Sequence, residues 1–378
     1  MDGRRDREGK VRREEGFFDS ASRPGSRRGQ ATSGRFGQND ARLGGGKMRM
    51  KKMMVLGAVC CLAVAMMAGK FAPVVAAGGP IPTDCDRACL EGLATQYLAA
   101  LVAHDPKKLP LAADVKYTEQ DQVMQIGDGF WGTATAVGGY KHCFSDPVEE
   151  QIGCIVTMHE GDHLLIMGMR LRVQLGRITE VETTYYRQGG GGPNNIAGFD
   201  TSKAEPIWFE TIPAAQRVSR QQLIATANMY FAGLENNDGK GVYPFADDCD
   251  RIENGTHTTN NATLSPNAPF NAFAMTCMQQ FKSGYYAIVT RIHSRRFPVV
   301  DEERGVVWAN VIFDQNGTVQ TIHLTNGQDV SMKNFNRPSS LEVTEAFKIT
   351  DGKIRRIEMM GSGLQYHLNS AWGGISDK

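Results

Sequence analysis

The chain has 378 residues, with 42 Lys and Arg against 41 Asp and Glu and a formal net charge of +1. That length suits two or three domains, and the 41% apolar content is ordinary for a globular protein. The charge balance gives no electrostatic basis for binding nucleic acid or an anionic membrane surface.

Residues 1–47 are rich in Arg, Gly, Ser and Asp and have no apolar period. They are expected to be disordered, or a mis-started extension ahead of a true start at Met48 or Met50. Residues 48–77 read as a signal peptide. Arg49, Lys51 and Lys52 precede an apolar run from Met53 to Gly69, and the small residues around Val75-Ala76-Ala77 suit cleavage. The rival reading is a membrane anchor, but the run is near the lower limit for a span and Lys70 ends it. The expected location is therefore periplasmic or secreted, with no membrane contact after cleavage.

Export makes disulfides the natural use of Cys85, Cys89, Cys143, Cys154, Cys249 and Cys277, an even set in an oxidising compartment. Cys249 and Cys277 form the expected pair of the second half. Cys85 and Cys89 fall on one helical face, so each is expected to reach a different partner, with Cys143 and Cys154 available and the pairing open. No His is spaced to complete a zinc site with the close pair, so no metal is expected.

The first domain is placed at 84–188. Leu90, Leu93, Ala94, Tyr97, Leu98 and Leu101 predict an amphipathic helix from about Asp86 to Ala103, stopped by Pro106. Phe130 and Trp131 lie in a Gly-rich turn, either in the core or at a pocket rim. Two alternating runs, 166–173 and 180–186, then read as antiparallel strands. Residues 189–214 form a linker whose Ile207, Trp208, Phe209 and Ile212 are too apolar to hang free, so it is expected to pack on the domains.

The second domain is placed at 215–376. Ser219 caps a helix carrying Leu223, Ile224, Ala227, Tyr230, Phe231 and Leu234. A long polar loop, a helix over 270–282 and a run of strands follow: 286–293, 306–313, 318–324, 340–349 and 353–360. Asn316-Gly317 and Asp351-Gly352 are read as hairpin turns.

A repeat ties the halves together. Tyr97-Leu98-Ala99-Ala100-Leu101 through Pro110 to Glu119 returns as Tyr230-Phe231-Ala232-Gly233-Leu234 through Pro244 to Glu253. One supersecondary unit used twice means two related domains, which would let the chain form a pseudo-dimer within itself, with a homo-oligomer also open.

In the Tyr-[Leu/Phe]-Ala helix, the Ala-x-Asp stretch after it and the closing strand Lys353-Ile354-Arg355-Arg356-Ile357-Glu358, the sequence resembles the nuclear-transport-factor-2-like (NTF2-like) superfamily in its SnoaL-like branch. The resemblance covers about 85–187 and 215–365. It implies an α+β fold of two tandem cone-shaped NTF2-like domains, each a long N-terminal helix packed on a curved antiparallel sheet. That superfamily holds dehydratases, isomerases and cyclases as well as non-catalytic binders, so the fold does not choose the function.

Where members are catalytic, an acid or His inside the cone moves a proton. Glu119 and Glu253 are the candidate bases because both copies keep a Glu at that place, and a carboxylate in an apolar cone titrates high. His293 is a candidate acid–base partner. It alternates with Arg291 and Arg295, so the three are expected on one strand face, where they could orient a substrate or form a solvated ion-pair network. Tyr117 and Tyr185 are candidate hydrogen-bond donors, and Trp131 a candidate rim residue. No cofactor motif is present. The expected ligand is a small, hydroxylated, partly apolar molecule. It would be either eliminated or rearranged by an exported, cofactor-independent lyase or isomerase, or bound by a non-catalytic module for small ligands or proteins.

Overall fold

The computed structural model describes residues 85–189 and 194–374. The signal-peptide reading over 48–77 and the expectation for 1–47 lie outside the described residues. Among the described residues no helix is long and apolar enough to cross a membrane.

Each half opens on one long helix. α1 (Arg87–Val102) starts where the Asp86 side chain accepts the Cys89 N–H, and buries Leu90, Ala94, Tyr97, Leu98 and Leu101. α3 (Arg220–Glu235) starts with a Ser219–Gln222 capping box and buries Leu223, Ala227, Tyr230, Phe231 and Leu234. The apolar spacing in both is the one that puts a single stripe against a sheet.

Those sheets have the same topology. The first half contributes β1 (Leu111–Glu119), β2 (Gln122–Met124), β3 (Ala134–Asp146), β4 (Gln151–Glu160), β5 (His163–Gln174) and β6 (Arg177–Arg187), in the order β2-β1-β6-β5-β4-β3. A short helix α2 (Ile196–Asp200) follows. The second half contributes β7 (Phe245–Glu253), β8 (Thr256–His257), helix α4 (Cys277–Lys282), β9 (Arg291–Asp301), β10 (Val306–Gln315), the outlying hairpin β11 (Thr321–His323) and β12 (Asp329–Ser331), then β13 (Ser339–Thr350) and β14 (Lys353–Leu364). Its main sheet runs β8-β7-β14-β13-β10-β9. Every neighbour is antiparallel except β1 with β6 and β7 with β14.

One face of each sheet holds its helix. Met167, Met169, Leu171 and Val173 face α1, and Val343, Phe347 and Ile349 belong to the core around α3. The other faces meet back to back. Ile155, Ile166, Tyr140 and Phe144 of the first sheet pack with Val299, Val306, Trp308, Ala346 and Met360 of the second. The connecting segment adds Ile196, Phe199, Ile207 and Trp208 to this layer. Glycine permits the closest approach: a Cβ at Gly153 would lie in the Trp308 indole, and one at Gly168 against Met360 and Thr344. Polar contacts complete the layer. His142 Nδ1 and the Tyr140 hydroxyl bond to the Glu358 carboxylate at 2.8 and 2.9 Å, and Arg220 pairs with Asp146 at 2.6 Å.

Several expectations need correcting. Cys85 bonds to Cys89 and Cys143 to Cys154, so the first two do not reach separate partners. Cys85 precedes the N-cap and folds back onto the first turn, while Cys143 and Cys154 face each other in register across β3 and β4. Cys249 bonds to Cys277. No strand covers 286–290: Gly284, at φ 77°, ends α4 and Tyr285–Ile288 form a 3₁₀ turn. Asn316-Gly317 does not join neighbouring strands either. β10 pairs with β13, and 316–338 is an excursion carrying its own two-stranded sheet.

Candidate functional site

The concave face of the second sheet holds Arg251, Glu253 and Glu345, where the first holds Glu119 alone at the matching positions. Along β13, Val343, Glu345 and Phe347 point the same way, into the core around α3. Glu253 of β7 lies opposite Met359 of β14, which lies opposite Glu345, which lies opposite Ala309 of β10. Residues in register share a face, so Glu253 and Glu345 stand level on the concave side. They are two strands apart, about 10 Å at the backbone.

Glu345 is 1% exposed, and neither carboxyl oxygen has a hydrogen bond of good geometry. Burial pushes its pKa up to about 8, the charge of Glu253 adds to the rise, and Arg251 and the Tyr230 hydroxyl offset part of it. The group is therefore mostly an acid at neutral pH and can give up or take a proton just above it.

Arg251, on the same face of β7, is fully enclosed. It donates to Gln280 Oε1 at 2.6 Å, Thr258 Oγ1 at 3.1 Å, Tyr230 Oη at 3.4 Å and the Tyr286 hydroxyl, and lies 3.3 Å from Glu253 Oε1. Gln280 is held in turn by its own donations to the carbonyls of Thr258 and Ala272, at 2.6 and 2.8 Å. Its helix α4 is fastened to β7 by the Cys249–Cys277 bond, next to Arg251 in the strand. The Tyr230 and Tyr286 hydroxyls are pushed above the usual phenol range, by burial first.

In the first half Glu119 occupies the matching edge position. It accepts the Phe130 N–H at 2.8 Å and the Tyr117 hydroxyl, and is buried. Across the sheet it is in register with Thr183, then Met169, then Cys154. Met169 therefore stands where the second half has Glu345. Trp131 and Phe130 fill the surrounding space, Trp131 edge-on to Tyr97 at 5.5 Å and Phe130 against Tyr185 at 4.6 Å between ring centres. Trp131 is wholly buried in this core, away from any rim. Burial pushes the Tyr97, Tyr117 and Tyr185 hydroxyls up, and the Glu119 charge adds to each.

Arg291, His293 and Arg295 do not share one face. Arg296 pairs with Asn310 and His293 with Ile312, so Ser294 and Arg295 together oppose Val311 in a bulge, with Ser294 at φ 53°. The bulge turns Arg295 onto α3, where it bonds to Glu235 at 2.6 Å and Asn228 at 3.2 Å. His293 and Arg291 stay together on the opposite side. Their partner is Asp314, whose Oδ2 lies 3.4 Å from His293 Nε2, 3.8 Å from Arg291 Nη1 and 3.0 Å from His367 Nδ1. None of the three basic groups joins Glu253. Among the described residues no group of three or more His, Cys, Asp or Glu side chains is placed to hold a metal ion.

A family model described as a domain of unknown function (DUF8021) matches residues 216–361, the second half. No curated protein matches the chain at a significant level. A provisionally assigned ketosteroid isomerase from Kribbella flavida is 16% identical, with a TM-score of 0.23 over 33% of this chain and 90% of that one. The provisionally assigned hydroxylase AclR from Streptomyces galilaeus is 11% identical, with a TM-score of 0.25 over 38% and 81%. A hypothetical protein with a ketosteroid isomerase-like fold from Catenulispora acidiphila, in complex with trimethylamine, is 18% identical, with a TM-score of 0.20 over 25% and 85%. No activity is transferred through likenesses of this size. The chain's own topology is α+β, with two curved six-stranded sheets that each carry a long helix, in the order expected of two NTF2-like domains.

Proposed function

We propose that the second half is a cofactor-independent proton-transfer enzyme of the lyase or isomerase kind, acting on a small, hydroxylated, partly apolar molecule at its concave face. Glu345 carries this reading: a fully buried carboxyl with a pKa pushed up to about 8, without a hydrogen bond of good geometry, level with a second carboxylate and near a buried guanidinium. In the proposed step Glu253 takes a proton from a carbon next to a carbonyl or carbinol. The electron pair left behind forms the new double bond. Glu345, in its acid form, supplies a proton to the oxygen that gains charge or leaves as water. Arg251, held by Gln280 and Tyr286, steadies the negative charge.

Glu119 is given no such part. Its carboxylate is already engaged by Phe130 and Tyr117, and Met169 replaces the second acid. Tyr117, Tyr185 and Trp131 are read with it as the packed interior of a domain that supports the other, and His293, Arg291 and Arg295 as structural ion-pair groups. The back-to-back sheets support reading the chain as a pseudo-dimer, and three disulfides support export to the periplasm or beyond.

The rival reading is a non-catalytic binding module. It is favoured by Arg251, whose donors are already taken up by protein partners. Incubating the oxidised protein with a library of hydroxylated and aromatic metabolites, followed by mass and retention time, separates the two. Conversion that is lost in both Glu345→Gln and Glu253→Gln, with melting curves kept cooperative, is the expected result. Conversion that survives both substitutions removes the assignment. Compounds retained by the protein but unchanged would establish the binder.

A further inference from the structure

Beyond β14 the chain leaves the second sheet and runs onto the first. His367 donates its backbone N–H to Ser340 Oγ at 2.9 Å, and its ring sits on Asp314. Ser370, Ala371 and Trp372 then lie against β1 and the turn after it. Lys116 Nζ donates to the Ala371 carbonyl at 2.6 Å. The Ala371 N–H and the Ser370 hydroxyl both donate to Asp121 Oδ1, at 3.0 and 3.2 Å. The Trp372 indole N–H donates to Thr118 Oγ1 at 2.9 Å. Three cations face its ring, with Lys116 at 4.0 Å, Arg170 at 4.8 Å and Arg296 at 5.7 Å from the ring centre.

Two features distinguish this from ordinary chain packing. The two arginines are held by groups outside the segment: Glu182 bonds both Arg170, at 2.8 Å, and Arg296, and Gln151 and Glu180 bond Arg170 as well. The segment itself adds nothing to the interior, since no residue from 365 to 374 belongs to any of the apolar cores. Its departure would open a polar, cation-lined groove and leave the apolar cores closed.

We propose that Lys116, Thr118, Asp121, Arg170 and Arg296 form a peptide-recognition groove, occupied in cis by Ser370-Ala371-Trp372, that takes an extended Trp-bearing peptide of the same pattern in trans. The chemistry of the ligand follows from the contacts. A backbone N–H and C=O on one residue are clamped by opposite charges, which fixes register. A hydroxyl precedes that residue. An indole follows it, read both by its N–H and by its electron-rich face.

The test uses the full chain carrying Trp372→Ala and a fluorescent peptide of the sequence from Tyr366 to Gly374, followed by anisotropy. The tethered segment competes at a high effective concentration in the unaltered chain. The variant should therefore bind the peptide at least about tenfold more tightly than the unaltered chain does. A peptide with Ala in place of the Trp should bind at least about tenfold more weakly, as expected when an aromatic anchor is removed. A folded variant that binds neither peptide, or both equally, overturns the proposal. Should Trp372→Ala not fold, hydrogen exchange on the unaltered chain decides. The Ala371 amide should exchange through local opening, well before the amides of β6. Exchange of Ala371 only with global unfolding would show that the segment is not displaceable and overturns the groove.

Discussion

Burial of Glu345 has a thermodynamic consequence separate from any catalysis. Its carboxyl titrates near pH 8 in the folded chain and near pH 4.3 in an unfolded one, to order of magnitude. Between those values the folded state holds the extra proton, so stability falls as pH rises from about 4.3 to about 8 and then levels off. Glu345→Gln removes that slope. The variant should be more stable than the parent by a few kcal/mol at pH 9, with the advantage gone at pH 4, by urea unfolding at each pH. Lys348 runs the other way. Burial lowers its pKa to about 8, so its cost to the folded state is paid as pH falls through the range below its ordinary value. Comparing variant and parent at the same pH cancels it. A variant no more stable than the parent at pH 9 would show that Glu345 is solvated or paired. The sequence pointed to Glu119 and Glu253 alike, since the repeat singled out both, and each lies on the concave side of its own sheet. Glu345 escaped because the first copy has Met169 in its place, so the repeat carried no signal. What remained legible was one acid breaking the alternating apolar run Leu341, Val343, Phe347, Ile349. The even positions Glu342, Thr344, Ala346 and Lys348 are buried too, on the opposite face, and that masked the contrast between faces.

At the scale of elements, the two halves differ mainly by insertion. Between the short second strand and the next long one the first half has Gln125 to Thr133, while the second has residues 258–290. β4 and β5 meet in a two-residue turn, while β10 and β13 are separated by 316–338. The first insertion brings Gln280 and Tyr286 to Arg251, and the second packs its Ile322, Leu324 and Met332 as a small cluster of their own, with Tyr285 against it. The periodicity of the long helices and strands was readable because each buries one regular stripe. The insertions were not, because α4 is a single turn and a half and Tyr285–Ile288 takes its shape from Gly284 and the reach of Tyr286 to Arg251. The bulge at Ser294 was hidden for a similar reason: alternation alone cannot show where a strand skips a residue. The disulfides should separate by loop length. Cys249–Cys277 spans 28 positions and Cys85–Cys89 only four. Chain-entropy arithmetic assigns them roughly 3.5 and roughly 2 kcal/mol. Replacing Cys249 and Cys277 by Ala should lower the melting temperature more than replacing Cys85 and Cys89. It should also free α4, so that the Gln280 side-chain amide loses its exchange protection. Equal shifts for the two pairs would mean that α4 is held by packing alone.

At the scale of the whole molecule, the order of elements is the same twice, and what differs is the filling. The first cone is closed around Trp131, Phe130 and Tyr185. The second keeps Glu253, Arg251 and Glu345 on its concave face under the inserted segments. Their outer faces are matched closely enough that Gly153 and Gly168 have no room for a side chain. The resemblance in the sequence was sufficient for two cones. It offered a pseudo-dimer but not the residues that join it, because those of the shared layer read like ordinary strand alternation in each half.

That shared layer makes the peptide connection between the halves a convenience of assembly. The two sheet backs are shaped to each other, with the Trp308 indole received over Gly153 and the Glu358 carboxylate by Tyr140 and His142. Two separately made polypeptides, 82–189 and 194–378, should therefore find each other on co-refolding and run as a 1:1 heterodimer by native mass spectrometry. Gly153→Leu in the shorter fragment should abolish that complementation, whereas pairing that survives the leucine would place the recognition elsewhere. A chain divisible in this way behaves as a split protein, whose reassembly reports on whatever brings its two pieces together.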